Sequence, residues 1–178
     1  YTVKEGLSDN NVTCIQQDDW GFVWVGTEIG LNRFDGYQFQ NYIQGSPERF
    51  LSSSNIRKLI TLDRQRLAIV TSNGFHVLNT NDFAIQHYLI PDSSAFVTIR
   101  NRVWDLKELN DGSFGVTTSS GFYVFHQDGS LLFRHDAYGL KDIGNKRIFY
   151  GRNIFSLPGN EMLIYVQVRD LAHFNIDK

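Results

Sequence analysis

The stretch DDWGFVWVGTEIGLNRFDGYQF, Asp18–Phe39, is rich in glycine and aromatic residues and contains no obvious catalytic group. A building block of a repeat protein recurs at a regular spacing, whereas an active-site loop does not. Weaker copies of this stretch do recur, each led by a branched apolar residue, here called the anchor. The four anchors are spaced 44, 47 and 51 residues apart: Val12, Ile56, Val103 and Ile154. The stretch is therefore interpreted as one unit of a repeat.

The internal spacing is constant in the first three copies. A threonine follows each anchor by 15 residues and a glycine follows it by 18, which gives the pairs Thr27 and Gly30, Thr71 and Gly74, and Thr118 and Gly121. Each copy has the pattern of four short strands, A to D, separated by turn residues. In the first copy the predicted strands are Val12–Gln17, Phe22–Thr27, Leu31–Phe34 and Tyr37–Tyr42.

Four antiparallel strands repeated every 44 to 51 residues are the pattern of a β-propeller blade, which buries both faces only by stacking on other blades. The predicted fold class is all-β, a β-propeller segment of about four blades, each a four-stranded antiparallel sheet. The A strands are expected to line a common axis, and Trp20, Phe22 and Trp24 to fill the space between blades. The expected blade repeats are residues 11–54, 55–101, 102–152 and 153–178, with 1–5 an outermost strand of another blade.

Composition excludes several classes of function. The chain of 178 residues is 42% apolar and 20% charged, as in soluble globular proteins, and its net charge of −2 provides no basic surface for nucleic acid. The single cysteine, Cys14, lies among apolar residues and is interpreted as a structural thiol. The five histidines show no metal-ligand spacing and are interpreted as solvated or structural residues, while Asp18, Asp19 and Asp63 are interpreted as capping the A–B turns. No nucleophile or phosphate-binding motif is present, so neither a cofactor, a metal nor an enzymatic activity is expected.

The residues Gly6–Phe39, GLSDNNVTCIQQDDWGFVWVGTEIGLNRFDGYQF, resemble the two-component regulator propeller repeat, in which GL…N.V leads to D..G..W.GT..GL.R.DG..F. Later copies match more weakly, with Ala68 and Gly115 at the position of Trp24. The resemblance implies the N-terminal periplasmic sensor region of a Bacteroidetes hybrid two-component sensor, anchored in the inner membrane. It also implies an oligosaccharide ligand, and a histidine kinase and further blades elsewhere in the same protein.

The candidate ligand-binding residues lie in the loops that lead into strand A and in those that join strand B to strand C. Propellers usually bind ligands at the end of the central channel where these loops meet. Polar groups beside an aromatic ring suit a sugar, whose hydroxyls need directed hydrogen bonds and whose apolar face stacks on a ring. The candidates are Asn11, Glu28, Asn55, Arg57, Arg102, Trp104, Asn153 and Arg169. Ordinary loop polarity is the alternative explanation for them.

Two other functions stay open on the sequence alone. Exposed blade edges favour a scaffold that binds protein, including a homodimer, and a propeller lyase or hydrolase is less favoured because no catalytic constellation is present. An open arc of blades from a larger ring is expected, and a small ring closed by the N-terminal strand is the alternative.

Overall fold

The computed structural model describes residues 1–43, 51–90, 102–119, 121–136, 151–156, 161–166 and 170–175. The chain divides into two compact units, Tyr1–Leu89 and Ile90–Lys178. Except for one short turn of 3-10 helix, every regular element of the described residues is a β-strand. These residues contain no helix with the length and apolar character that crossing a membrane requires.

The first unit contains two four-stranded sheets, each an antiparallel meander in chain order. Sheet 1 consists of β1 (Val12–Gln17), β2 (Val23–Thr27), β3 (Leu31–Phe34) and β4 (Phe39–Tyr42). Sheet 2 consists of β5 (Ile56–Thr61), β6 (Arg66–Thr71), β7 (Phe75–Asn79) and β8 (Ile85–Tyr88). The two A strands, β1 and β5, lie against one another.

The second unit repeats this arrangement. Sheet 3 consists of β9 (Val103–Glu108), β10 (Phe114–Thr118), β11 (Gly121–Phe125) and β12 (Leu131–Asp136). The described strands of sheet 4 are β13 (Gly151–Ser156), β14 (Glu161–Val166) and β15 (Asp170–Asn175). The A strands β9 and β13 are again in contact. The predicted all-β class with blade-like four-stranded sheets is confirmed, whereas the blade boundaries and the common axis stay predictions.

The prediction of a strand in residues 1–5 is wrong, because Val3–Glu5 form one turn of 3-10 helix. The Thr2 backbone N–H donates to Glu5 Oε2 at 2.6 Å, and the Lys4 N–H donates to Thr2 Oγ1 at 3.2 Å. Gly6 ends the turn with a φ of +106°, a conformation that favours glycine. These local hydrogen bonds occupy the backbone groups that a strand would offer to a neighbour.

The core of the first unit lies between sheets 1 and 2. Trp24 is fully buried there, as predicted, and packs with Leu31, Tyr42, Leu51 and Ile56. Trp20 does not fill the space between blades, since it lies in the turn after β1 with 62% of its surface exposed. The reason is its position: a turn residue extends past the end of the sheet, where no neighbouring strand covers it.

Close approach of the two sheets depends on Gly26 of β2. A Cβ atom at this position would lie 2.5 Å from Cys14 Sγ and 2.7 Å from Ile56 Cγ2. Thr13 Oγ1 of β1 also donates a hydrogen bond to the Ile56 carbonyl at 2.7 Å. Ile56, the anchor of sheet 2, therefore packs directly against the A and B strands of sheet 1.

A second contact between the same two sheets lies farther from the A strands. The guanidinium of Arg33, on β3, lies 4.4 Å from the ring centroids of both Phe22 and Phe83. Phe83, in the turn before β8, has a φ of +61°, which is costly for a residue with a side chain. The strained backbone of Phe83 is consistent with the gain from placing its ring against the cation.

Candidate functional site

The threonine and glycine of the repeat close the turn between strands B and C. In each of sheets 1 to 3 the threonine hydroxyl donates to the carbonyl of the glycine three residues later: Thr27 to Gly30 at 2.9 Å, Thr71 to Gly74 at 3.1 Å and Thr118 to Gly121 at 3.1 Å. This hydrogen bond explains why the two residues keep their spacing. The turn is thereby held in one shape at the end of the sheet where strand A begins.

The loop before strand A is tied to this turn in the same three sheets. The amide of the residue after the threonine donates to the carbonyl of the residue before the anchor: Glu28 to Asn11 at 3.3 Å, Ser72 to Asn55 at 3.1 Å and Ser119 to Arg102 at 3.1 Å. The loops named as candidates from the sequence are therefore neighbours within each sheet. A rigid, repeated backbone frame carries side chains that differ from sheet to sheet.

In the first unit this frame carries polar side chains. Asn11 Nδ2 donates to Glu28 Oε2 at 3.3 Å, and both side chains are exposed. Asn55 Oδ1 accepts a hydrogen bond from Ser72 Oγ at 2.9 Å, and Arg57 is half-buried on β5. These residues offer hydrogen-bonding groups but no aromatic ring.

In the second unit the frame joins a cation to an aromatic ring. The guanidinium carbon of Arg102 lies 5.4 Å from the centroid of the Trp104 ring, within cation–π range. Trp104 Nε1 donates to Ser119 Oγ at 3.0 Å, which fixes the ring against the B–C turn. Asn153 is exposed on β13, and Arg169 lies outside the described residues. The arrangement can offer charged and neutral hydrogen-bond donors beside a fixed apolar face.

A serine that precedes strand A was not among the residues chosen from the sequence. Ser8 and Ser52 each lie four residues before the anchor, and each hydroxyl contacts the threonine of the turn, Thr27 at 2.8 Å and Thr71 at 3.2 Å. The repeated Leu-Ser pairs, Leu7-Ser8 and Leu51-Ser52, were the available signal. The role of the serine cannot be predicted from the pair alone, because the side chain that binds the serine backbone N–H lies on strand C.

Titratable groups elsewhere have structural partners. Asp18 Oδ1 accepts hydrogen bonds from the Trp20 and Phe22 amides, both at 3.0 Å, which confirms the turn-capping interpretation. Burial raises the pKa of the Cys14 thiol, as expected for a structural cysteine. Among the described residues, no cluster of three histidine, cysteine or carboxylate side chains is placed to hold a metal ion.

Comparison with known proteins agrees with the fold. Residues 6–28 match the family described as Two component regulator propeller. A histidine kinase P4 from Formosa agariphila is 46% identical over 54 residues, which is 30% of this chain and 4% of the kinase. Two extracellular domains assigned to hybrid two component systems of B. thetaiotaomicron match 97% of this chain and 22% of their own length.

These two solved domains have TM-scores of 0.61 and 0.63 at 18% and 20% identity, so the likeness establishes the fold alone. The chain spans less than a quarter of their length and a far smaller part of the kinase. The resemblance of the opening stretch is confirmed by the family match. The chain carries a two component regulator propeller repeat at residues 6–28, within a fold shared with extracellular domains of hybrid two component systems.

Proposed function

We propose that the chain is a ligand-binding part of the sensor region of a two-component receptor, and that it is not itself an enzyme. The receptor would be anchored in the inner membrane with this part in the periplasm, and its kinase would lie elsewhere in the full-length protein. Support comes from the propeller repeat at residues 6–28 and from the similarity to a histidine kinase. The repeated turn frame adds physical support, because it holds variable side chains on a constant backbone.

The ligand proposed is an oligosaccharide, and the observation that carries this proposal is the Arg102–Trp104 pair. Trp104 is oriented by its hydrogen bond to Ser119, so little side-chain entropy remains to be lost when a sugar ring stacks on it. The exposed Arg102 beside it can donate several hydrogen bonds to hydroxyl or carboxylate oxygens. A fixed ring with adjacent donors matches the two surfaces of a sugar.

The test measures oligosaccharide affinity of the full-length receptor by calorimetry across a panel of plant and host glycan fragments. Trp104→Ala should weaken the best ligand about tenfold, because a lost aromatic contact is worth roughly 1 kcal/mol or more. Arg102→Ala should weaken it by a similar or larger factor, since hydrogen bonds to charged groups are worth about 1.5–3 kcal/mol.

Trp20→Ala is the matched control, because this exposed tryptophan lies in the A–B turn at the opposite end of its sheet. The affinity of the Trp20→Ala variant for the best ligand should equal that of the native receptor. Unchanged affinity in the Trp104 variant, or an equal loss in the Trp20 variant, would contradict the proposed site.

A second candidate function is binding of another protein surface. It is favoured by two apolar side chains of β1, Val12 and Ile15, which are 45% and 64% exposed. The equivalent residues of sheet 2 are Ile56 and Leu59, which are 0% and 7% exposed because sheet 1 covers them. One face of sheet 1 therefore presents residues of the type that sheet 2 buries.

A further inference from the structure

The segment that enters sheet 2 is tied to strand β7 through a histidine. The backbone N–H of Ser52 donates to His76 Nε2 at 3.1 Å. In sheet 1 the same connection uses an amide, because the Ser8 N–H donates to Asn32 Oδ1 at 2.8 Å. Asn32 and His76 occupy equivalent positions, each two residues after the glycine of the repeat. Sheets 1 and 2 thus hold two versions of one connection, and of these two the histidine version can be protonated.

The hydrogen bonds fix the protonation state of the histidine pair. A backbone amide can only donate, so His76 Nε2 must keep its lone pair and the ring proton must be on Nδ1. His76 Nδ1 lies 2.9 Å from His87 Nδ1, which must then accept. Both rings are therefore neutral in this arrangement, with the proton of His87 on Nε2.

An added proton breaks one of these contacts wherever it binds. On His76 Nε2 it would face the Ser52 N–H, and on His87 Nδ1 it would face the His76 Nδ1–H at 2.9 Å. The Ser52 hydroxyl donates to the Asn73 carbonyl at 2.5 Å and its oxygen lies 2.8 Å from His76 Nε2, so this oxygen can accept a hydrogen bond from a ring that is protonated there. The Ser52 amide N–H cannot accept one.

Among the described residues, the elements placed against His76 carry no carboxylate. Its ring is fully buried, and these elements are the Ser52 segment, the turn at Thr71 and Asn73, β6, which pairs with β7, and β8. Of the charged groups that sheet 1 directs toward sheet 2, Arg33 is a cation, and Asp19 pairs with Arg64 at 3.8 Å in the A–B turns, at the opposite end of the sheets from Ser52. His87 is the titratable group whose charge acts on His76, and it too is a base.

We propose that the hydrogen bonds among Ser52, His76 and His87 form an acid-sensitive contact, here called the latch. The latch holds the entry segment of sheet 2, the segment around Ser52, against β7 at neutral pH and releases it as the pH falls. The entry segment of sheet 1, held by Asn32, has no such dependence.

The direction follows from the proton balance. Burial lowers the pKa of His76 to about 3, with a further contribution from the charge of His87, and burial also lowers the pKa of His87. In the open state both rings return toward the ordinary value of about 6.5. The open state therefore binds more protons, and the latch is at full strength above about pH 6.5 and weakens toward about pH 3.

Amide hydrogen exchange of the full chain, followed by NMR, tests this with an internal reference. The protection of the Ser52 amide, divided by that of the Ser8 amide in the same sample, should fall below pH 6.5 by up to about tenfold per pH unit for each proton taken up. In His76→Asn, which copies the connection of Asn32, the ratio should be independent of pH. A constant ratio in the native chain, or an equal fall in the variant, would overturn the latch.

A second measurement covers the case in which the variant does not fold. Nitrogen chemical shifts of the His76 ring in the native chain should show a proton on Nδ1 alone, retained to well below pH 5, since the pKa is about 3. A proton on Nε2, or titration of His76 near pH 6.5 with the Ser52 amide unaffected, would refute the proposal.

Discussion

Trp24 is buried beside Asp18, and the two positions vary together along the chain. Trp24 Nε1 donates to Asp18 Oδ2 at 2.7 Å. Leu62 and Leu109 occupy the position of Asp18 in sheets 2 and 3, each as the first residue of the same hydrogen-bonded turn. In the same two sheets, Ala68 and Gly115 occupy the position of Trp24. A leucine therefore stands where the tryptophan is missing, since without the indole N–H one oxygen of the buried carboxylate would lose its donor.

We expect strong coupling between Asp18 and Trp24 in urea unfolding. Trp24→Ala should cost about 3–5 kcal/mol through cavity formation, and Asp18→Leu about 1–3 kcal/mol because it leaves the indole N–H without a partner. The double variant, which copies Leu62 and Ala68, should be less destabilised than the sum of the two by roughly 1 kcal/mol or more. Additive losses would show that the two residues act independently.

Residue roles were predictable from the sequence only where the cause is local. Asp18 was correctly expected to cap the A–B turn, since its position in the turn is enough to indicate it. Its hydrogen bond to Trp24 was not predictable, because it depends on how deep strand B lies between the sheets. His76 was interpreted as a structural histidine, but the partners Ser52 and His87 come from two other segments.

At the scale of the element, the repeat predicted strand bounds closely wherever the turn chemistry is simple. The predicted Val12–Gln17 and Leu31–Phe34 match β1 and β3. Strand D begins later than expected, at Phe39, because Asp35 Oδ1 accepts from the amides of Tyr37 and Gln38, both at 2.8 Å. These two residues therefore belong to the turn and not to the strand.

The glycines at turns allow a direct test of close approach. Gly36 and Gly74 have φ values of +99° and +87°. A Cβ atom added at Gly36 would meet no atom within 4 Å, whereas one added at Gly74 would lie 2.5 Å from the Tyr88 carbonyl oxygen. Gly36→Ala should therefore lower the free energy of unfolding by about 1–2 kcal/mol through backbone strain. Gly74→Ala should cost roughly 1–3 kcal/mol more through the added clash. Equal costs in urea unfolding would contradict the close contact.

At the scale of the whole molecule, the sequence predicted the blade-like sheets but could not predict which candidate residues meet. Arg102 and Trp104 come together because both flank one anchor on β9. Asn11 meets Glu28 because the loops of one sheet share a frame. Contacts between sheets, such as Thr13 with Ile56, have no periodicity along the chain and follow from packing alone.

The open face of sheet 1 leads to a prediction about association. Ile15→Lys should leave the free energy of unfolding within about 0.5 kcal/mol of the native value, whereas Leu59→Lys should cost several kcal/mol, because only the second buries a charge. If this face binds protein, sedimentation velocity should show association of the native chain that increases with concentration and is lost in Ile15→Lys. A native monomer at every concentration would contradict self-association through this face.

Two of the contacts between sheets 1 and 2, at Thr13 and at Arg33, have a mechanical consequence. Thr13 of β1 is hydrogen-bonded to Ile56. The other contact is made by Arg33 of β3, which lies two strands away from β1 and thus roughly 10 Å farther across the sheet. A single attachment would act as a pivot, but two attachments separated along one face resist torsion of one sheet against the other. A hinge motion in this part of the chain is therefore expected to carry the two sheets together, with its axis outside the pair.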